Sequence, residues 1–375
     1  MNVFIEEIGS NNKGAYLMYL SVEEKIKSQF ENSKIVVEDR RFTKVEEAKH
    51  NLYKFAHFQR FKIKLHNIID TAQLAKYNLM KFSEVDLVLN AGGYANGDFW
   101  YKTFGKNTFI KKLDWYKRFK KSGVPIILLP QAFDTFTSDF IKNYIVEVHD
   151  LVDLIYARDQ VSLYNLQSVL GKSEKVKLAP DFTNLIEVGH SKLVNGDYVT
   201  IIPNSKMIQA GIISRKDYIE NLLAMANTVY AKDYKIVFLN HEGEGDEELI
   251  FEVQDRIDFD SIVLTNIDAL EIKSVIKDSK LVITGRFHGL VSALSQSVPV
   301  LATSWSHKYK ELLSDYNAED QLLDINNKTE LINIIKKNIQ NENMQVLKSL
   351  LERNSKLQKN KAEEMWEEVF EKIEN

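Results

Sequence analysis

Short apolar runs alternate along the chain with longer stretches in which apolar residues recur every three or four positions. The runs are rich in β-branched residues, continuous rather than alternating, and so read as strands buried on both faces. In the first half they are Val3–Ile5, Ile35–Val37, Val85–Asn90, Pro125–Leu129 and Leu154–Ala157; in the second, Tyr198–Ile202, Lys235–Leu239, Ser261–Leu264, Leu281–Thr284 and Val300–Ala302. Helical periodicity falls between them, at Tyr16–Phe30, Phe140–Leu151, Lys216–Ala231, Glu247–Asp255, Ala269–Asp278 and Glu330–Asn338. Strands alternating with helices predict an α/β fold of parallel sheets with helices on their faces. Phe182–Gly196 follows an Ala-Pro-Asp turn, holds two glycines and Asn195, and reads as a link between two domains. From Asn341 to Glu374, apolar residues such as Leu347, Leu351, Trp366 and Phe370 recur at helical spacing among many charges, so one or two long amphipathic helices are expected.

The expected organisation is therefore two Rossmann-like domains, residues 1–184 and 185–340, and a C-terminal helical segment, 341–375, packing back across both. This is a GT-B-like arrangement, with an active site expected in the cleft between the halves. At 375 residues the chain is too long for one ordinary core, which agrees with two domains. Its 44% hydrophobic and 27% charged residues are those of a globular protein, and a net charge of −4 gives no electrostatic case for nucleic acid. No cysteine is present, which removes disulfides, thiolate metal sites and thiol nucleophiles. Met1–Ser10 lacks the layout of a signal peptide, and no apolar run approaches the roughly 18 residues of a membrane span, so a cytoplasmic location is expected.

The chemistry concentrates in one turn. The run Leu281–Thr284 is broken by Gly285, and Arg286 and His288 follow before a second apolar segment of helical character. A guanidinium and an imidazole thus stand where a strand feeds a helix N-terminus, a good place for an anion. In open α/β sheets it is also where ligands sit. Neither residue has an evident packing role there.

Other polar residues share the same kind of position. Gly9 to Gly14, with Asn11 and Asn12 inside it, joins the first strand to the first helix; it can admit a ligand close to the backbone or serve as a capped turn. Its spacing matches neither the P-loop nor the dinucleotide fingerprint. Asn90 begins a loop with Gly92 and Gly93, and Gln131 follows the Leu128–Leu129–Pro130 strand end. Arg158 ends another strand, either as a second cation or in a salt bridge to Asp159 or Asp181, and Asp159 is a natural helix N-cap. Asp181 can activate a hydroxyl or simply shape the turn after Pro180. Lys308, near His307, is a third cation or a solvated lysine at a helix start. The stretch His241 to Asp246 reads better as an acidic surface or substrate loop than as a metal site, and His50, His57, His66 and His149 show no ligand spacing, so no metal is expected. Tyr101–Lys121 interleaves eight lysines and arginines with aromatics, which suits either an anionic membrane surface or a solvated helix face.

Taken in order, these elements resemble the polysaccharide pyruvyl transferase family. The matching parts are Gly9–Gly14, Asn90–Gly93, Ile127–Gln131, Ala157–Asp159 with Ser162, Pro180–Asp181, Gly285–His288, Ala293, Val298–Pro299 and Lys308; Ser297 departs from a glycine common before x-Pro. The resemblance implies a GT-B-like transferase that moves the enolpyruvyl-derived unit of phosphoenolpyruvate onto hydroxyls of a sugar, in a polysaccharide or its lipid-linked oligosaccharide precursor, with release of phosphate. Phosphoenolpyruvate is then a donor substrate and no cofactor is needed. On that reading Arg286, Arg158 and Lys308 bind its two anionic groups beside Gly285, and His288 is the general acid. Asp181 is the base, and Asn11, Asn12, Gly14, Gly92, Gly93 and Gln131 line the acceptor side. Two other readings use the same residues: a GT-B glycosyltransferase fed by a nucleotide sugar, and a non-catalytic anion-binding protein of envelope polysaccharide assembly.

Overall fold

A computed structural model describes residues 1–56, 59–60, 63–64 and 69–374. His57 and His66 lie outside these residues. The chain divides into two compact units, the first comprising Met1–Asn11, Ala15–Phe182 and the chain from Ala362 onward, the second Asn12–Gly14 and Thr183–Lys361.

The first unit is built on a sheet of nine strands among the described residues. Its strand order is Val176–Leu178, Leu154–Ala157, Ile126–Phe133, Leu87–Asn90, Asn2–Glu6, Lys34–Val37, Tyr53–Phe55 and Leu79–Met80, with Tyr94–Asn96 paired to Ile126–Phe133 off this path. All of these pairings are parallel, with Val3 opposite Ile35 on one side and Leu87 on the other. From Asn2–Glu6 the chain first winds one way and then returns to wind the other. The sheet therefore switches direction between Asn2–Glu6 and Leu87–Asn90, and the loops at that point begin at Glu7 and Ala91.

The second unit has a six-stranded parallel sheet in the order Ile262–Leu264, Lys235–Leu239, Tyr198–Ile202, Leu281–Thr284, Val300–Thr303, Leu322–Leu323. Its alternation is clean. Val199, Ile201, Ile236, Phe238, Leu281 and Ile283 enter one buried layer; Tyr198, Ile202, Val237, Leu239, Val282 and Val300 enter the other. Two covered faces explain why these strands read as unbroken apolar runs. The switch in this sheet lies between Tyr198–Ile202 and Leu281–Thr284, so the Gly285–His288 turn stands at its topological switch point.

The structure departs from the sequence reading in four places. Ile126–Phe133 runs through Pro130, so Gln131 lies within a strand and not after it. The register slips there, with Ile155 opposite Leu128 and Ala157 opposite Gln131, so the extra residue lies in the strand of Pro130, the residue that cannot donate to a ladder. Tyr53–Phe55, Leu79–Met80 and Tyr94–Asn96 are strands too short to show a period. The helix expected from Glu247 begins at Gly243. The C-terminal segment is one helix, Asn341–Glu374, and not a separate body: its residues to Lys361 belong to the second unit and those from Ala362 to the first.

In the first unit Trp366 of that helix is almost fully buried, its ring 6.1 Å from Phe182 and 5.6 Å from Phe370. Replacing it by alanine should cost about 3–5 kcal/mol of unfolding free energy. Chemical denaturation of Trp366→Ala, with Trp366→Phe as the milder control, checks this.

Candidate active site

The second unit builds its site around the turn after Leu281–Thr284. Thr284 Oγ1 accepts from the Arg286 backbone N–H at 3.0 Å, and the helix Phe287–Ser295 starts immediately. The Gly285 carbonyl accepts from Asn204 Nδ2 at 2.6 Å and from the Tyr309 hydroxyl at 2.7 Å. Asn204 follows the neighbouring strand and Tyr309 lies on the helix Lys308–Asp315, so the turn is pinned from both sides. A Cβ at Gly285 would come within 2.8 Å of Asn204 Cβ, which is why the strand must break on glycine.

Arg286 does have a structural role, against the sequence reading. Its Nε and Nη2 donate to the two carboxylate oxygens of Asp246 at 2.7 and 2.6 Å, a bidentate pair, while Nη1 donates to the Glu242 carboxylate. Its side chain is 7% exposed and that of Asp246 0%. Burial alone would loosen the guanidinium's proton, but the Asp246 and Glu242 carboxylates outweigh it and hold the pKa above its ordinary value. The partners come from His241–Asp246, which the sequence presented as a surface or substrate loop. His241 and Asp246 are buried and Glu242 is partly buried, while Gly243 and Glu244 are at the surface, and the Asn12 amide donates to Glu242 at 2.6 Å. The signal that could have found them is position: they follow Lys235–Leu239, one strand removed from Leu281–Thr284.

Two imidazoles complete the cluster. His288 packs edge-on to Phe287, and a Cβ on Gly14 would collide with its ring, so Gly14 is there for clearance. His241 has an Nε2 with no hydrogen-bond partner among the described residues. Burial first, then the charges of Arg286 and His288, push its pKa down to about 3, so the ring is neutral. Lys308 Nζ stands 5.1, 4.8 and 5.8 Å from the ring centres of Phe287, Trp305 and Tyr309, a cation held on aromatic faces and not a solvated lysine. His307 is exposed.

The first unit places its polar residues at its own switch point. Glu6 is buried and accepts from Asn90 Nδ2 and the Tyr116 hydroxyl, both at 2.7 Å. Asn90 Oδ1 in turn accepts from the Gly92 N–H and Gln131 Nε2 at 3.1 Å, and Gln131 Oε1 from Asn96 Nδ2 at 2.7 Å. Gln131, expected to line the acceptor side, is fully buried in this network and shapes the loop. Glu7 has a left-handed backbone, φ 64, and its carboxylate pairs with Lys112. Lys112 thus leaves the basic run of Tyr101–Lys121 and belongs to the interior. Arg158 donates to Asp181 at 3.2 Å with both side chains buried, the ion pair that the sequence offered as the alternative to a binding cation. Asp159 caps its helix, accepting from the Ser162 N–H at 2.7 Å. Gly93 lies beside Arg158, and Asn11 is exposed. His50 and His149 are structural, bonded to Glu23 at 2.6 Å and Ser173 at 2.8 Å.

Residues 12–307 match the family model described as polysaccharide pyruvyl transferase. The chain belongs to the polysaccharide pyruvyl transferase family. It is accordingly a transferase, and the turn at Gly285–His288 lies within the matched region. Solved structures share the fold at low identity. The Neisseria meningitidis UDP-GlcNAc 2-epimerase bound to UDP-GlcNAc superposes with a TM-score of 0.62 at 13% identity, over 99% of this chain and 100% of that one. The Anabaena protein HepE in complex with UDP and glucose gives 0.59 at 12%, over 100% and 99%. The Staphylococcus aureus MnaA–UDP structure gives 0.58 at 14%, over 93% and 91%. These likenesses establish a GT-B-type fold with Rossmann-like units for this pyruvyl transferase. Among curated proteins, none matches the chain.

Two outcomes test the electrostatics. Asp246→Ala leaves Arg286 buried without its bidentate partner and should cost about 3–5 kcal/mol in urea unfolding; wild-type stability in this variant would mean that the pair does not hold the turn. Burial raises the Glu6 pKa to about 7, offset by Lys112 and reinforced by Glu7. A raised carboxyl contributes its full stability below the unfolded pKa of 4.5 and loses it as pH climbs through 7. The melting temperature of Glu6→Gln should therefore gain on wild type from about pH 5 to about pH 8.

Proposed function

We propose that this transferase moves the enolpyruvyl-derived unit of phosphoenolpyruvate onto a pair of sugar hydroxyls, forming a pyruvate ketal and releasing phosphate. The observation that carries the reading is the Arg286–His288 turn, fixed at a sheet's switch point by Asn204, Tyr309 and Asp246 within a chain of this family. Phosphoenolpyruvate has a carboxylate and a phosphate, which suits a site with Arg286, Lys308 and the N-terminus of Phe287–Ser295. His288 gives a proton to the methylene carbon, leaving an oxocarbenium-like centre at C2. A sugar hydroxyl adds there as its proton leaves, phosphate departs with the C2–O bond electrons, and a second hydroxyl closes the ketal as it loses its own proton. Asp181, buried against Arg158, holds that arginine in place.

A lipid-linked precursor suits the surface of the first unit, because Phe99 and Phe104 are exposed beside Lys102 and Lys106, a combination compatible with anionic lipid. Among the described residues no helix is long and apolar enough to cross a membrane, so any contact of the described helices would be peripheral. The second reading is a nucleotide-sugar transferase, motivated by the UDP and UDP-sugars named in the structural neighbours.

A phosphate-release screen with phosphoenolpyruvate against lipid-linked and synthetic galactosides, glucosides and mannosides tests the function. His288→Ala should lower turnover by about 10²–10⁴-fold with its circular dichroism unchanged. Near-normal turnover would remove His288 from the mechanism. Calorimetry separates the donors: binding of phosphoenolpyruvate supports pyruvyl transfer, and binding of a UDP-sugar alone supports the second reading.

A further inference from the structure

His241 has a place in the second unit that neither packing nor the proposed mechanism uses. It is 4% exposed, follows the Lys235–Leu239 strand, and is joined through Glu242 to Arg286, whose Nη2 donates to the Glu242 carbonyl at 3.4 Å. The ring's Nε2 is buried with no partner among the described residues. A buried polar atom left unpaired costs roughly 1–3 kcal/mol. Such an atom beside an anion-binding turn is best explained by a group that arrives with the ligand.

The charges around it say which group. The positive charges that act on it are those of Arg286, His288 and Lys13, while the carboxylates of Glu242 and Asp246 are bonded to Arg286. Burial first, and then these cations, keep a proton off the ring. A phosphate dianion reverses the local field, so that a proton on Nε2 becomes a bridge to the ligand and not a repelled charge.

We infer that His241 is a phosphate-binding residue of this site: as a phosphate-bearing ligand enters, Nε2 takes up a proton from solvent and donates it in a hydrogen bond to a phosphate oxygen. No covalent bond forms, and the proton returns to solvent or leaves with the released phosphate. The inference rests on the proposed donor for the identity of the phosphate, though inorganic phosphate alone suffices to test it.

The experiment is calorimetric titration of the full-length protein with phosphoenolpyruvate and with inorganic phosphate, in two buffers of different ionisation enthalpy. At about pH 8 a phosphate monoester, with a second pKa of about 6, is already dianionic, so proton uptake reports on the protein. Uptake by wild type should exceed that of His241→Asn and His241→Phe and should grow as the pH is lowered from about 8 towards about 7, because the ring's pKa starts from about 3 and must be raised far to hold the proton, while His288→Asn keeps that excess. Nitrogen-15 spectra of wild-type histidines supply a readout that needs no variant to fold: one buried imidazole should change from the neutral to the imidazolium pattern on adding phosphate. Unchanged uptake in both His241 variants, uptake lost only in His288→Asn, or a ring that stays neutral would each overturn the inference. If phosphoenolpyruvate fails to bind wild type while inorganic phosphate binds with uptake through His241, the donor assignment falls and this one stands. If neither binds, both fall.

Discussion

A guanidinium cannot be buried alone. Arg286 can stand at the end of a central strand because Asp246 meets it with both oxygens, and much of the second unit is arranged around that pair. Asp246 is 0% exposed, so either partner without the other would leave an uncompensated charge in the interior. The pair also fixes geometry. Asp246 accepts from the Ser205 backbone N–H at 2.8 Å, tying the loop after Tyr198–Ile202 to the helix that begins at Gly243. Asn204 in that same loop holds the Gly285 carbonyl. Three consecutive positions in the sheet are thereby locked together at their carboxyl ends, and the His288 ring leaves that assembly against the clearance provided by Gly14.

The first unit meets the same constraint at its switch point with the opposite sign. Its central buried charge is a carboxyl, Glu6, and its neighbours are a lysine, a tyrosine and a relay of amides from Asn90 through Gln131 to Asn96. Amides can both donate and accept, so such a relay stays satisfied in only one arrangement and fixes where the Gly92–Gly93 backbone lies. Glu7 adds a left-handed backbone directly after the strand. That conformation costs a non-glycine residue energy, which its pairing with Lys112 helps offset.

The parts of the fold that were legible in the sequence are those whose periodicity is strong. The central strands were readable because both faces are buried, and Gly285–His288 was readable because a glycine followed by two charged or titratable residues interrupts such a run. Short edge strands such as Leu79–Met80 were not, since two residues carry no period. The site was half readable for a different reason. Sequence shows which residues stand at strand ends but not which ends are adjacent, and adjacency decides whether Arg158 binds a ligand or Asp181, and whether His241 and Asp246 are surface or interior. Lys112 makes the same point: nothing in a basic helix marks the one lysine that turns inward.

The charge balance at Arg286 then constrains how an anion can bind there. One guanidinium faces two carboxylates, so this edge of the site is not cationic while Glu242 is in place. The two carboxylates are not equivalent. Asp246 is fully buried and bonded through Nε and Nη2, whereas Glu242 is 34% exposed, reaches only Nη1 with its side chain, and accepts from the exposed Asn12 amide with its other oxygen. Removing Asp246 from Arg286 would strand a buried charge; moving Glu242 only returns a carboxylate to water, where it is well solvated. An anion that docks on Arg286 must therefore take the place of Glu242 at Nη1, with Asp246 remaining as the fixed backing of the guanidinium. Until that exchange occurs, Glu242 satisfies the Nη1 donor that a phosphate or carboxylate would use.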